Sequence, residues 1–194
     1  MKNHYPKLTI NVSDTTDLRP PESSWTIVED VKEPQGSLII QLAEIIRNPN
    51  EYQSEAKNFL EQAKVIAPTF LGERHLQALI AIQDQIPVCW RPYSLFFPGT
   101  IWNGWRDKPF FMSFPLLHPI IRNAGTFLAV PYIHWKWHYD EERKEFTHHS
   151  WEVGYGQISG SSFFMHKDVI VLLSSEYDEW LSNLNPQAFL DQEL

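Results

Sequence analysis

The sequence has very little cysteine and no long hydrophobic run. Cys89 is the only cysteine among the 194 residues, which excludes an internal disulfide and is typical of a protein kept in a reducing compartment. No window approaches the roughly 18 apolar residues of a membrane-spanning helix, and the first residues lack the apolar core of a signal peptide. The sequence therefore predicts a soluble, unprocessed, cytoplasmic protein with no membrane partner.

Catalytic motifs that can be identified from sequence alone are missing as well. There is no GxSxG nucleophile elbow, no GxGxxG or GxxxxGK[ST] phosphate loop, no HExxH and no CxxC. We therefore expect no cofactor, and whether the protein is an enzyme stays open.

Acidic residues are scarce in the middle of a chain that is acidic overall. The net charge of −8 argues against nucleic-acid binding, because most of that affinity comes from neutralising phosphates. Between Val88 and Tyr139, however, there are five basic residues and a single acidic one, Asp107. The same segment contains 14 of the 27 aromatic residues. This segment is either a surface that binds an anion or a partner, or the aromatic core of a β region with arginine stems packed over it.

Proline and polar residues set the first part of the chain apart from the rest. Residues 1–35 are predicted to be an extended or partly ordered arm, and residues 36–194 a single domain. Two short apolar runs in the arm, Leu8–Val12 and Trp25–Val31, alternate well enough to be edge strands.

Apolar spacing in the first half of the domain favours helices. We predict three of them, over residues 37–47, 50–67 and 72–85, with His75 solvated in the first turn of the third. Farther along, Trp102-Asn103-Gly104-Trp105 is typical of a hairpin with a type I′ turn, and Ser175 begins a closing helix that runs to Leu184. The predicted class is α+β, in which an N-terminal helical half packs on a C-terminal antiparallel β-meander followed by one helix.

Residues 126–153 form the most distinctive stretch, because they gather histidines, tryptophans and charge into one predicted hairpin. The charged tip is 140–144, and pairing of Tyr139 with Glu145 keeps the two apolar faces together. The alternation buries one face, with Trp135 and Trp137. The other face collects His134, Lys136, His138, His148 and Glu152.

This second face is the predicted binding site of a non-enzymatic ligand- or partner-binding domain. Histidine rings among tryptophans offer flat surfaces and hydrogen-bond donors, which suit an anionic small molecule or a protein partner. The candidate ligand-binding residues are His134, Lys136, His138, His148, Arg91, Arg106 and Arg122.

A metal-dependent hydrolase or oxygenase is the alternative. Its ligands would be a subset of His134, His138, Asp140, His148 and His166. Strand geometry argues against three histidines together, because residues four apart on a strand are about 13 Å apart, whereas each ligand nitrogen must lie within about 2.1 Å of a zinc ion. Asp140 is also explained more simply as a turn residue.

Overall fold

The computed structural model describes residues 5–13, 17–45, 53–106, 110–112, 120–122, 125–159, 163–165 and 167–183. Within these residues the fold is dominated by strands, with three helices and an eight-stranded mixed sheet. In chain order the elements are β1 (Leu8–Val12), β2 (Thr26–Asp30), β3 (Gly36–Glu44), β4 (Gln53–Glu55), α1 (Ala56–Ile66), α2 (Glu73–Ile80), β5 (Ser94–Phe96), β6 (Thr100–Arg106), β7 (Phe110–Met112), β8 (Ile120–Arg122), β9 (Gly125–Asp140), β10 (Glu145–Gln157), β11 (Phe163–Met165), β12 (Asp168–Leu173) and α3 (Ser174–Asn183).

The main sheet draws its strands from the whole length of the chain. Its order is β1-β3-β12-β5-β9-β6-β2, with β10 paired to β9. Neighbouring strands run antiparallel except β12 and β5, which are parallel. Two smaller sheets pair β11 with β4 and β7 with β8.

Helices cover both faces of this sheet. Val169 and Val171 of β12 belong to the core cluster that contains Leu76 of α2, whereas Ile170 belongs to the cluster that contains Phe59 of α1. Aromatic residues of α3 pack against the second cluster. The sheet therefore lies between α2 on one side and α1 with α3 on the other. No helix in the described part of the chain is long and apolar enough to cross a membrane.

The predicted N-terminal helical half is wrong, and so is the sequential meander. Residues 36–44 are a strand, β3, between β1 and β12. Because β3 is central, it buries Ile40 and Leu42 against one layer and Ala43 against the other. A strand buried on both faces carries apolar residues at adjacent positions, and such a run also satisfies the helical spacing of three and four residues.

The other helices were placed more accurately. α1 begins at Ala56 rather than Asn50, because Gln53–Glu55 pairs with β11. α2 and α3 lie within or close to the predicted spans. His75 is fully buried, however, so its predicted solvation is wrong.

The predicted Trp102–Trp105 hairpin does not form. β6 runs straight through these residues and pairs with β9, with Gly104 opposite Phe127. The two apolar runs of residues 1–35 are strands, as predicted: β1 and β2 lie at opposite edges of the main sheet. Trp25, just before β2, packs edge-on against Phe127 and Tyr155.

Candidate functional site

The hairpin predicted from residues 126–153 is present and extends beyond the sheet. β9 pairs with β6 over Gly125–Ala129 and with β5 over Tyr132–His134. Beyond His134, β10 is the strand paired with β9 in the described part of the chain. Among the described residues, the distal half of the hairpin is therefore a two-stranded ribbon.

Beyond a β-bulge the register of this ribbon differs from the predicted one by two residues, yet His134, Lys136, His138 and Glu152 still share one face. Asp140 lies opposite Glu145 at the tip, and a β-bulge between Phe146 and His148 adds one more residue of offset. Past the bulge Lys136 lies opposite Ser150. Two residues is one full period of a strand, so from His148 onward the division into faces is the predicted one.

One face of the ribbon is aromatic and solvent-exposed, although the alternation predicted it to be buried. This aromatic face consists of Trp135, Trp137, Tyr139 and His149. The His149 ring lies between the two tryptophans, with ring centroids 4.7 Å from Trp135 and 4.5 Å from Trp137. Trp137 is 57% exposed and Tyr139 51% exposed, because among the described residues the packing against the core ends at Trp135.

Arg91 caps this row of rings at its inner end. Its guanidinium carbon lies 4.0 Å from the Trp135 ring centroid, a cation–π contact. Arg91 follows the short 3₁₀ turn Val88–Trp90, whose Trp90 is fully buried and holds the turn on the core. The structure thus places Arg91 on the aromatic face and not beside His134, Lys136 and His138.

The opposite, polar face carries the predicted histidine and lysine residues with a carboxylate between them. The Lys136 Nζ lies 3.0 Å from one oxygen of Glu152, and the His138 Nε2 lies 2.9 Å from the other. His138 also contacts the Ser150 hydroxyl at 3.2 Å. Lys136 holds the pKa of Glu152 below its usual value. Glu152 thereby neutralises positive charge that an anion would need.

Three candidate residues cannot be placed as side chains. The backbone register sets His148 opposite His138, and Arg106 and Arg122 end strands β6 and β8. The side chains of all three lie outside the described residues. His166 also lies outside them.

Asp140 acts as a turn residue, as the simpler interpretation predicted. Its Oδ1 accepts hydrogen bonds from the backbone N–H groups of Glu142 and Arg143, both at 3.0 Å. Among the described residues, no group of three or more histidine, cysteine, aspartate or glutamate side chains could hold a metal ion. The metal-dependent alternative therefore finds no ligand set in this part of the chain.

His134 supports a prediction about pH. Burial lowers the pKa of His134 against the opposing effect of the Glu152 charge, and burial likewise lowers the pKa of His75. The unfolded chain takes up these protons at an ordinary pKa of about 6.5 and the folded protein only at lower pH, so the free energy of unfolding should fall between about pH 7.5 and 5.5. Urea titrations at both pH values should show a smaller fall for His134→Gln than for wild type. An equal fall in His134→Gln and wild type would contradict this role for His134.

The sequence did not predict a second group of interacting side chains, which surrounds a buried glutamate at the start of α2. Glu73 is 2% exposed. Its carboxylate accepts hydrogen bonds from the Trp102 indole N–H and from the Tyr155 hydroxyl, the latter at 3.0 Å. Its backbone N–H donates to Thr100, whose hydroxyl donates to Asp30 at 3.1 Å. Burial raises the pKa of Glu73 above its ordinary value, against the effect of these hydrogen bonds.

A signal for this site was present in the sequence. Glu73 lies three residues before Leu76 and seven before Ile80, on the apolar stripe of the helix. His75 is locked in place beside it, because its Nδ1 accepts from the Gly72 N–H at 3.0 Å and its Nε2 donates to the Pro34 carbonyl at 2.9 Å. An acid in the first turn of a helix is ordinarily explained by the helix dipole, so its position alone does not distinguish Glu73 from a solvated first-turn acid.

Comparison with known proteins gives no relative for this fold or these sites: no family model, no curated protein and no solved structure matches the chain.

Proposed function

We propose that this protein is a non-enzymatic binding domain that holds a protein partner on the aromatic face of the hairpin. The partner segment is apolar and carries a carboxylate. The observation that supports this most is a row of aromatic side chains that begins with Trp135 at the edge of the core and ends with the exposed Trp137 and Tyr139.

The composition of the face favours a protein partner. Tryptophan, tyrosine and arginine are the residues that contribute most binding energy at interfaces, whereas surface carboxylates and lysines are depleted there. The rings are already held by one another and by Arg91, so little side-chain freedom is lost on binding. A partner can bury the exposed parts of Trp137 and Tyr139 without any change in the sheet.

The charge on Arg91 favours an acidic partner segment. Arg91 is partly buried, its Nε has no hydrogen-bond acceptor, and no carboxylate among the described residues pairs with it. A buried or half-buried guanidinium is most stable when a carboxylate accepts from it in a bidentate arrangement. A partner carboxylate beside Trp135 would supply that acceptor.

The polar face gives weaker support to an anionic small molecule, because Glu152 already forms ion pairs with Lys136 and His138.

We further propose a cytoplasmic location, because the exposed thiol of Cys89 is suited to a reducing compartment.

The test is selection of a random peptide library on the immobilised full chain, followed by affinity measurement with the purified peptides. Enriched peptides should combine aromatic or aliphatic residues with aspartate or glutamate. Trp137→Ala and Arg91→Gln should each weaken binding about tenfold or more, which is about 1.4 kcal/mol.

Trp105→Ala is the matched control. Trp105 is 49% exposed but lies on β6, away from the ribbon, so its loss should leave peptide affinity unchanged. Enrichment of basic peptides, or equal affinity for wild type and the two ribbon variants, would overturn the proposal.

A further inference from the structure

A pocket of about 460 Å³ opens above the buried glutamate of α2. Glu73, Gln77 and Tyr155 line its polar side. Leu18 and Val153 contribute apolar walls. Its volume lies within the range of about 300–1,000 Å³ that is usual for small-molecule sites.

The carboxylate of Glu73 has room for one further donor. An ionised carboxylate offers about four acceptor positions. Three of them are used, by the Trp102 indole, the Tyr155 hydroxyl and the Gln77 side chain. All three donors are neutral, so none compensates the charge.

Within the part of the chain that the structure describes, no protein cation compensates this charge either. The nearby Arg74 pairs with Asp30 at 3.3 Å, and no described cationic side chain forms an ion pair with Glu73. Arg19 lines the pocket but is accompanied by Asp17. With Glu73 ionised, the two carboxylates of the pocket outnumber its one guanidinium, so the pocket attracts cations.

Leaving a buried carboxylate without a cation is costly, because burial removes the water that stabilises its charge. The raised pKa of Glu73 is a consequence of this cost. A positively charged ligand in the pocket would stabilise the ionised form and fill the remaining acceptor position in a single contact.

We propose that this pocket is a binding site for a small organic cation, in which a primary ammonium group donates to Glu73 and an apolar body rests against Leu18 and Val153. The site is separate from the aromatic face of the hairpin and does not depend on the function proposed for it.

The test uses three probes of one shape: benzylammonium, benzyl alcohol and benzoate. Binding to the full chain is measured by calorimetry at neutral pH. Benzylammonium should bind with a dissociation constant of about 1 mM or tighter, as expected for a ligand of this size. Benzyl alcohol should bind at least about tenfold more weakly, and benzoate more weakly still.

Two variants assign the binding to this pocket. Glu73→Gln removes the charge but keeps a hydrogen-bonding side chain, and Val153→Trp narrows the pocket without altering Glu73. Each should weaken benzylammonium binding about tenfold or more, whereas Asp178→Asn, which removes an exposed carboxylate that pairs with Lys7, should not. If Glu73→Gln does not fold, the effect of Val153→Trp on benzylammonium binding alone tests whether the ligand binds in this pocket.

Absence of benzylammonium binding, equal binding of the three probes, or unchanged binding in a folded Val153→Trp would overturn the proposal. Glu73 would then be a structural carboxyl that connects α2 to β6 and β10.

Discussion

Phe59→Ala is expected to lower the free energy of unfolding by about 3–5 kcal/mol, the usual range for removing a buried aromatic ring. Phe59 is fully buried in α1, and its ring packs edge-on to Phe96 of β5 with centroids 6.4 Å apart. The substitution therefore leaves a cavity between the helix and the sheet. The Phe96 ring cannot easily move to fill this cavity, because it is also stacked on Tyr132, with ring centroids 4.8 Å apart.

Val65→Ala on the same helix is the control. Val65 is 72% exposed, so its loss should change stability by no more than about 0.5 kcal/mol. Urea denaturation of the two variants measures both effects under one set of conditions. Similar midpoints for Phe59→Ala and wild type would show that α1 does not pack on the sheet through this face.

The helical spacing around Phe59 was informative because α1 has one buried side and one exposed side. The same spacing wrongly predicts a helix for β3, because this strand is buried on both sides from Ile40 to Ala43 and no exposed side there distinguishes a period of two residues from one of 3.6. Only the partners of β3 make it a strand: β1 before it in the chain and β12 near the other end. A pairing of such distant segments leaves no local trace in a single sequence.

The hairpin shows a different limit of prediction from residue spacing. Along β9, and along β10 from His148 onward, alternation predicts the faces correctly, because the faces depend only on the period of the strand. The register depended on the tip and on the bulge between Phe146 and His148, neither of which the spacing specifies. Without the bulge, the one-residue difference at the tip would have exchanged the faces of β10, and Glu152 would not meet Lys136 and His138.

Burial of each face was the part that alternation could not predict. Trp135 and Trp137 have the same position in the pattern, but the core ends between them. Where a layer ends depends on the lengths of elements elsewhere, here α2 and the turn before Arg91. The most exposed aromatic residues of the site were therefore expected to lie in the interior.

Gly99→Ala should destabilise the protein more than Gly104→Ala, the reverse of what the type I′ turn interpretation of Asn103-Gly104 implied. That interpretation needs a positive φ at Gly104, whereas the described glycines with positive φ are Gly36 and Gly125. Gly104 is required for space: a Cβ there would lie 2.7 Å from atoms of the Phe127 and Trp25 rings. Trp25 is partly exposed and can move aside, so we expect a cost of about 1–3 kcal/mol.

Gly99 meets backbone instead of side chains. A Cβ there would lie 2.6 Å from the Phe70 carbonyl oxygen and 2.9 Å from the Gly72 nitrogen. These atoms cannot move away, because the Gly99 N–H donates to the Leu71 carbonyl at 2.9 Å and the Gly99 carbonyl accepts from the Val31 N–H at 2.8 Å. The added methyl group would have to break this connection between β2, α2 and β6, at a cost above about 3 kcal/mol. Denaturant unfolding of the two variants side by side measures the difference, and a larger loss for Gly104→Ala would mean that the segment before α2 yields more readily than the Trp25–Phe127 contact.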